Sequence, residues 1–249
     1  MLLLFLFISI LILLIFYTKQ TKQKDNLFYN ISDINDNIMC IEKYKNKILD
    51  ETINVNNNMK AEWKDWVETD LYTKNNEKSW KIYPFYAFGV WAKENCIKCP
   101  NITQFLLSIK GLKLATLSKL SAGIKLKHHM GWGSHSNNVL RCHYGIIVPK
   151  LCYVSVTNNI IPPLYDNDNI KRDSFPNNIY KMEEEIVFHK QFEWLIFDDS
   201  KTHYAENMSN EDRIVLIIDV ERPKHIKKGI SKIGDTKELM ELVKYYIKN

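Results

Sequence analysis

Four of the chain's seven histidines lie within residues 127–149: His128, His129 and His135 lead into a strand-like run over residues 139–148, and His143 stands inside it. Arg141 and His143 stand two apart in that run. Alternate side chains of an extended strand share a face, so these two point one way and Leu140, Cys142 and Tyr144 the other. A cation and an imidazole on one face of an apolar strand are costly to bury unless something anionic meets them. A plain surface face is the alternative. Against it, the run ends in Ile146-Ile147-Val148, which reads as buried on both sides.

A second stretch complements the first. Residues 192–197 (FEWLIF) form an apolar strand-like run that stops at Asp198-Asp199-Ser200, and His203 follows. After a polar turn over residues 208–212, Arg213 opens Ile214-Val215-Leu216-Ile217-Ile218-Asp219-Val220. A histidine near a strand end, with an arginine ten positions later at the head of the next strand, is a spacing shared with iron oxygenases that use 2-oxoglutarate.

His129-Met130-Gly131, Arg141-Cys142-His143, Phe197-Asp198-Asp199-Ser200 with His203, Ala205-Glu206-Asn207, and Arg213 running to Asp219-Val220-Glu221-Arg222-Pro223 together resemble the aspartyl/asparaginyl β-hydroxylase family. The DVERP and HYAEN segments are also similar to its lipid A 2-hydroxylase branch. The resemblance spans roughly residues 80–223; any one of these motifs alone would be weak. It implies a mainly β fold, the double-stranded β-helix or cupin-like jelly roll, with flanking helices. It implies iron(II) and 2-oxoglutarate as cofactors.

By resemblance, His129 and His203 are the iron ligands. Arg213 grips the distal carboxylate of 2-oxoglutarate, and Ser118 adds a hydroxyl donor to it. Arg141 and His143 address the proximal carboxylate or an acidic substrate. The family's carboxylate position, two residues after the first histidine, holds Gly131 here; the β-hydroxylase branch is similar in this, and the lipid branch carries aspartate. The gap from His129 to Arg141 is longer than either branch implies, so His128 and His135 stay open as the first ligand. Asp198 and Asp199 read as a turn that orients His203, with metal ligation as the alternative. The reaction implied is oxidative decarboxylation of 2-oxoglutarate coupled to hydroxylation of Asp or Asn side chains in a polypeptide. Two alternatives stand beside it: hydroxylation of a lipid acyl chain, and a catalytically silent β-barrel binding module, which Gly131 allows.

The elements that must position these residues follow from the pattern. The 249 residues are 45% hydrophobic and 25% charged, ordinary for a folded chain with one sizeable domain. A formal charge of +5 without a basic stripe argues against nucleic acid. Residues 1–17 are uninterrupted apolar sequence followed by Lys19, Lys22 and Lys24. They read as a single-pass membrane anchor, with the bulk of the chain on the cytosolic face. Residues 18–60 read as a linker with one short helix near residues 41–49, and residues 61–71 as a helix carrying Trp63, Trp66 and Val67 as packing residues. Residues 61–223 form the jelly-roll domain. Ser118 lies on an alternating strand over residues 112–120, and residues 157–185 read as an inserted loop at its rim. Residues 224–249 form a helical tail. Cys96 and Cys99 form a CxxC read as structural, Cys142 and Cys152 are small buried side chains, and His189 and His225 are expected at the surface.

Overall fold

The structure is a computed structural model that describes residues 23–34, 36–72, 78–158, 165–166, 169–170, 184–237 and 240–241. In chain order the strands are β1 (Phe28–Tyr29), β2 (Lys64–Asp65), β3 (Trp80–Ala87), β4 (Val90–Trp91), β5 (Leu112–Leu120), β6 (Val139–Ile147), β7 (Cys152–Thr157), β8 (Tyr165–Asp166), β9 (Asn169–Ile170), β10 (Glu184–Phe188), β11 (Trp194–Phe197), β12 (Thr202–Asn207) and β13 (Arg213–Glu221). The α-helices are α1 (Lys45–Asn58), α2 (Lys93–Lys98), α3 (Pro100–Leu107) and α4 (Gly133–Ser136). The fold is mainly β, as the sequence implied.

One antiparallel sheet runs β1-β11-β6-β13-β5-β3-β2, with β4 on β3; a second runs β10-β7-β12. The segment over residues 123–131 extends the second sheet along β12, through bonds from Gly123 N to Asn207 O (2.9 Å), Leu126 N to Ala205 O (2.8 Å) and Gly131 N to Asp199 O (2.8 Å). From β5 onward the chain passes back and forth between the sheets, except that β7 and β10 pair within the second, and the last strand returns beside β5. That interleaving is a jelly roll, and it brings residues near 129 to residues near 203.

Register fixes what each face carries. Opposite residues of an antiparallel pair share a face. Asp219 lies opposite Arg141, Ile217 opposite His143, Val215 opposite Ser118 and Arg213 opposite Leu120. All of these point between the sheets. Leu117, Cys142, Tyr144, Leu216 and Ile218 point the other way and are fully buried, because helices cover that face. Helix α1 buries Ile48, Thr52 and Val55, and α3, with Pro100 at its first position, buries Ile102, Phe105 and Leu106. The Glu51 carboxylate accepts from the backbone N–H of Asn101 (2.8 Å) and Ile102 (2.9 Å). A negative charge thus caps the positive end of α3 and ties the two helices together.

Several expectations change on contact with tertiary structure. The segment expected as a linker forms a short 3-10 helix, Asp36–Lys43, then α1, fourteen residues long and packed on the sheet. Residues 61–71 are not an α-helix. Lys64 and Asp65 pair with Ile82 and Lys81 at the sheet edge, which sends Trp63 to Tyr83 on one face and Trp66 to Trp80 (4.7 Å between rings) on the other. Both tryptophans are buried packing residues, but strand alternation separates them where helical spacing would have joined them. The aromatic stretch from Trp80 is a hairpin whose two turn residues, Phe88 (φ 51°) and Gly89 (φ 85°), both have the positive φ of a tight primed turn. Residues 1–17 and most of the inserted loop lie outside the described residues, as does most of the tail helix. Within the loop, β8 and β9 form a small hairpin. Among the described residues no helix is long and apolar enough to cross a membrane.

The chain divides into two compact units. The larger holds residues 26–222 and the chain from residue 228 on. In the smaller, Lys24 bridges Ile226, and the Lys227 ammonium meets Asp25 at 2.8 Å. Within the larger unit the tail is extended rather than helical over residues 228–235. It clamps the loop after Met130: Gly133 N donates to Ile233 O (2.8 Å), and Ser231 Oγ donates to Gly131 O (2.5 Å).

Candidate active site

His129 and His203 exchange two backbone hydrogen bonds, 2.9 and 2.8 Å, as a directly opposed antiparallel pair. Their side chains therefore rise from the same face, and the rings stand 4.3 Å apart. Each Nδ1 lies 2.8 Å from the carbonyl two residues back, Lys127 O and Lys201 O respectively. A carbonyl only accepts, so each Nδ1 carries the proton and each lone pair sits on Nε2. Burial lowers the His203 pKa, which keeps that lone pair available.

Strand alternation also separates the clustered histidines. His128 faces away: its Nε2 lies 3.1 Å from Glu184 Oε1, and its ring packs on Tyr204. His135 sits on α4, with Nε2 2.8 Å from Asp219 Oδ2. Neither lines the cavity that His129 and His203 share.

The two adjacent aspartates have separate tasks. Asp198 accepts hydrogen bonds from Nη1 and Nη2 of Arg222 (2.9 and 2.5 Å) and from the Ser200 hydroxyl, which fixes the turn. Asp199 is buried, with Oδ1 3.4 Å from His203 Nε2 and 2.5 Å from Arg141 Nη1. A Cβ built on Gly131 would lie 2.0 Å from Asp199 Oδ2. The space that a side chain at position 131 would need is filled by the Asp199 carboxylate. His203 is thus approached at both nitrogens, by the Lys201 carbonyl at Nδ1 and by Asp199 at Nε2.

Arg141 and Arg213 both line the cavity, with Ser118, His143, Trp80, Phe197 and apolar neighbours around them. Arg141 is engaged by carboxylates. It donates to both oxygens of Asp219 (2.9 and 2.8 Å) as well as meeting Asp199. Burial opposes its charge, but Asp199 and Asp219 outweigh that and raise its pKa. Burial likewise opposes the Asp219 charge, and Arg141 holds that carboxyl well below the usual range. Arg213 is equally buried, yet its Nε and Nη1 have no hydrogen-bond partner among the described residues, and burial lowers its pKa to about 10. Ser118 Oγ accepts from Trp80 Nε1 at 2.9 Å. His189, expected at the surface, is buried with its Nε2 3.1 Å from His143 Nδ1. Its partner lies 46 positions away, and nothing local marks it. Asp219 did carry a signal: a carboxylate inside the most apolar run of the domain demands a buried cation.

All six residues singled out in the sequence, His129, His203, Arg213, Ser118, Arg141 and His143, line this one cavity. The described donor set is two imidazoles with one carboxylate close by; no three His, Cys, Asp or Glu among the described residues are arranged to hold a metal together. Cys96 and Cys99 are free thiols, away from the cavity lining. Cys142 and Cys152 are buried, as expected.

Between the sheets of this jelly roll lie a pair of inward imidazoles and, beside them, a buried guanidinium two of whose nitrogens lack a hydrogen-bond partner among the described residues. Comparison with known sequences narrows this. The family described as aspartyl/asparaginyl beta-hydroxylase matches residues 42–163 and 174–223, more than half of the chain, and this protein belongs to that family. It is 29% identical over 157 residues to the ornithine lipid ester-linked acyl 2-hydroxylase of Rhizobium tropici; the match covers 63% of this chain and 47% of that protein. The chain thus spans about half the length of this curated relative. Among solved structures, the epimerase SnoN in complex with Fe3+, alpha ketoglutarate and nogalamycin RO is similar over 80% of this chain and 90% of its own, at 10% identity and a TM-score of 0.48. A Pseudomonas putida prolyl-4-hydroxylase covers 75% of this chain and 97% of its own, at 9% identity and a TM-score of 0.43.

Proposed function

We propose that this protein is an iron(II)- and 2-oxoglutarate-dependent oxygenase that hydroxylates a methylene carbon next to a carbonyl. The observation that carries the reading is one cavity with two inward imidazoles, each with its Nδ1 proton committed to a carbonyl, and a buried arginine whose Nε and Nη1 are unpartnered. A buried cation in that state is costly unless a ligand completes it. The donor set fits iron(II): His129 and His203 would hold it through Nε2, and the Asp199 carboxylate lies against His203 on the side where Gly131 leaves room. Iron with 2-oxoglutarate and dioxygen supplies the oxidising power, and the overall balance yields succinate, carbon dioxide and the hydroxylated substrate.

The chain's own residues do the positioning. Arg213 binds a carboxylate of 2-oxoglutarate in two-pronged fashion, a geometry that lysine cannot copy. Ser118 adds a hydroxyl beside it. His143 faces the same cavity and takes the second carboxylate end or the substrate. Arg141, held by Asp199 and Asp219, sets the field of the site. The wall of Leu126, Val154, Phe197, Ala205 and Ile217 excludes water around the reacting carbon.

Two substrates fit this chemistry. The 2-position of an ester-linked acyl chain and the β-carbon of Asp or Asn are both methylenes next to a carbonyl. Similarity to an acyl 2-hydroxylase and the apolar N-terminal run support the lipid. The family description supports a polypeptide. A membrane-anchored protein with its domain on the cytosolic face suits the first. Succinate formation with iron(II), 2-oxoglutarate and oxygen, measured with acyl-lipid vesicles and separately with Asp/Asn peptides, tests both. Turnover with neither, and no iron bound, would leave a silent binding module and end the reading. His203→Ala should remove iron binding; unchanged iron affinity would refute the ligand assignment.

A further inference from the structure

Three indoles form a continuous stack that begins at the cavity wall. Trp80, at the head of β3, lines the cavity together with His129 and His203. Trp66 stacks on Trp80 with ring centroids 4.7 Å apart, and Trp132 stacks on Trp66 at 5.8 Å; each pair lies within 27° of parallel. The backbone fixes the first pair, because Trp66 N donates to Trp80 O at 2.8 Å. All three rings are buried.

Burial of apolar area alone does not require indoles, since Phe or Leu would fill the same core. Tryptophan adds an N–H that seeks a partner when buried, and here the partners differ. Trp80 Nε1 donates to the Ser118 hydroxyl at 2.9 Å, and Trp66 Nε1 donates to Glu68 Oε2 at 3.3 Å. Trp132 Nε1 has no partner among the described residues. With the phenol of tyrosine, indole is among the side chains that give up an electron most readily, and contact between stacked rings lets the electron pass from one to the next. An indole that has lost an electron becomes acidic at its N–H. The loss therefore settles where a base stands ready. A carboxylate is such a base, and a serine hydroxyl is not. An electron deficiency created at Trp80 thus comes to rest on Trp66, with the proton on Glu68, which is only half-buried.

We propose that Trp80 and Trp66, with Glu68 as proton acceptor, form an electron relay that discharges the cavity when 2-oxoglutarate is consumed without a substrate. The proposal rests on the oxygenase reading above. Oxidative decarboxylation of one 2-oxoglutarate by dioxygen, with no C–H bond to attack, leaves two oxidising equivalents and one oxygen atom in the cavity. Trp80 gives an electron and is refilled from Trp66, whose Nε1 proton passes to Glu68. A one-electron reductant in solution, such as ascorbate, restores Trp66, and Glu68 returns the proton. Two such passages, with two protons from solvent, turn the unused oxygen atom into water. Without the relay, the oxidation falls on Trp80 itself.

The test uses the full chain loaded with iron(II) and given 2-oxoglutarate and dioxygen but no substrate. Samples frozen during the reaction are read by electron paramagnetic resonance, with ring-deuterated tryptophan to identify the radical. The unaltered protein should show a tryptophanyl radical that ascorbate removes. Trp66→Phe should lose most of that signal, and oxygen added covalently to Trp80, read by peptide mass spectrometry, should rise several-fold per 2-oxoglutarate consumed. Glu68→Gln keeps the stack but removes the base, so the optical band should change from that of the neutral radical to that of the protonated cation radical. Trp63→Phe alters a buried tryptophan that packs on Tyr83 instead and should behave as the unaltered protein does. An unchanged radical and unchanged Trp80 oxidation in Trp66→Phe would overturn the relay. So would equal changes in Trp63→Phe, which mark a loosened core, or an unchanged band in Glu68→Gln. Consumption of 2-oxoglutarate with no radical overturns the relay alone; no consumption at all overturns the oxygenase reading and the relay with it.

Discussion

Two buried arginines line the same cavity, and their surroundings differ. Arg141 lies between Asp199 and Asp219, its charge satisfied by protein. Arg213 has Nε and Nη1 without a hydrogen-bond partner among the described residues. A buried charge that the fold neutralises itself is part of the frame. One left incomplete is an invitation to a ligand, because the desolvation cost is only recovered on binding. The site thus has a closed side, around Asp199 and the two imidazoles, and an open side, around Arg213 and His143.

The sharpest way to break this contrast is to remove each guanidinium in turn. Arg141→Met leaves Asp199 and Asp219 buried without a cation and should destabilise the fold by about 3–5 kcal/mol. Arg213→Met removes an uncompensated cation and should leave thermal stability unchanged or raised, while 2-oxoglutarate affinity falls by roughly 100-fold. Equal stability losses in the two variants, seen in denaturant unfolding, would erase the distinction.

Gly131→Asp probes the closed side. The new Cβ would run into the Asp199 carboxylate, so the variant should lose about 1–3 kcal/mol of stability and bind iron more weakly. Tighter iron binding would show that position 131 is free to supply a ligand.

Acid should act mainly on the imidazoles. Burial holds His143, His189 and His203 below the ordinary value of 6.5. The unfolded chain therefore takes up protons there that the folded chain refuses. Their stabilisation is complete above that value and is lost as the pH falls through it toward the folded pKa values. The melting temperature should drop from about pH 7.5 to about pH 5.5, and less so in His189→Phe. A flat profile would contradict the burial of these rings. The smallest effect is expected for Ser118→Ala, which strands Trp80 Nε1 at a cost of about 1–3 kcal/mol in denaturant unfolding and weakens 2-oxoglutarate binding only a few-fold.

The alternation over residues 139–148 placed Arg141 and His143 on one face, and the register confirms it. The strand of residues 112–120 was equally visible, since period-two alternation is a local signal. Trp63 and Trp66 show the limit of such signals. Their spacing imitates a helix, yet pairing of Lys64 and Asp65 with the edge of β3 decides the backbone. His189 was invisible for a related reason: its burial depends on His143, which no local window contains.

What the sequence by itself determined is the list of groups: two imidazoles, two guanidiniums, a hydroxyl and adjacent carboxylates, on strands whose alternation turns them inward. What only the tertiary structure decided is how those groups are divided. Backbone pairing put His129, and not its neighbour His128, face to face with His203, and Asp199 fills the space beside Gly131. Two buried carboxylates then closed off Arg141 and left Arg213 open. Side-chain chemistry is written residue by residue, but whether a buried charge is satisfied depends on strands that meet only when the two sheets close.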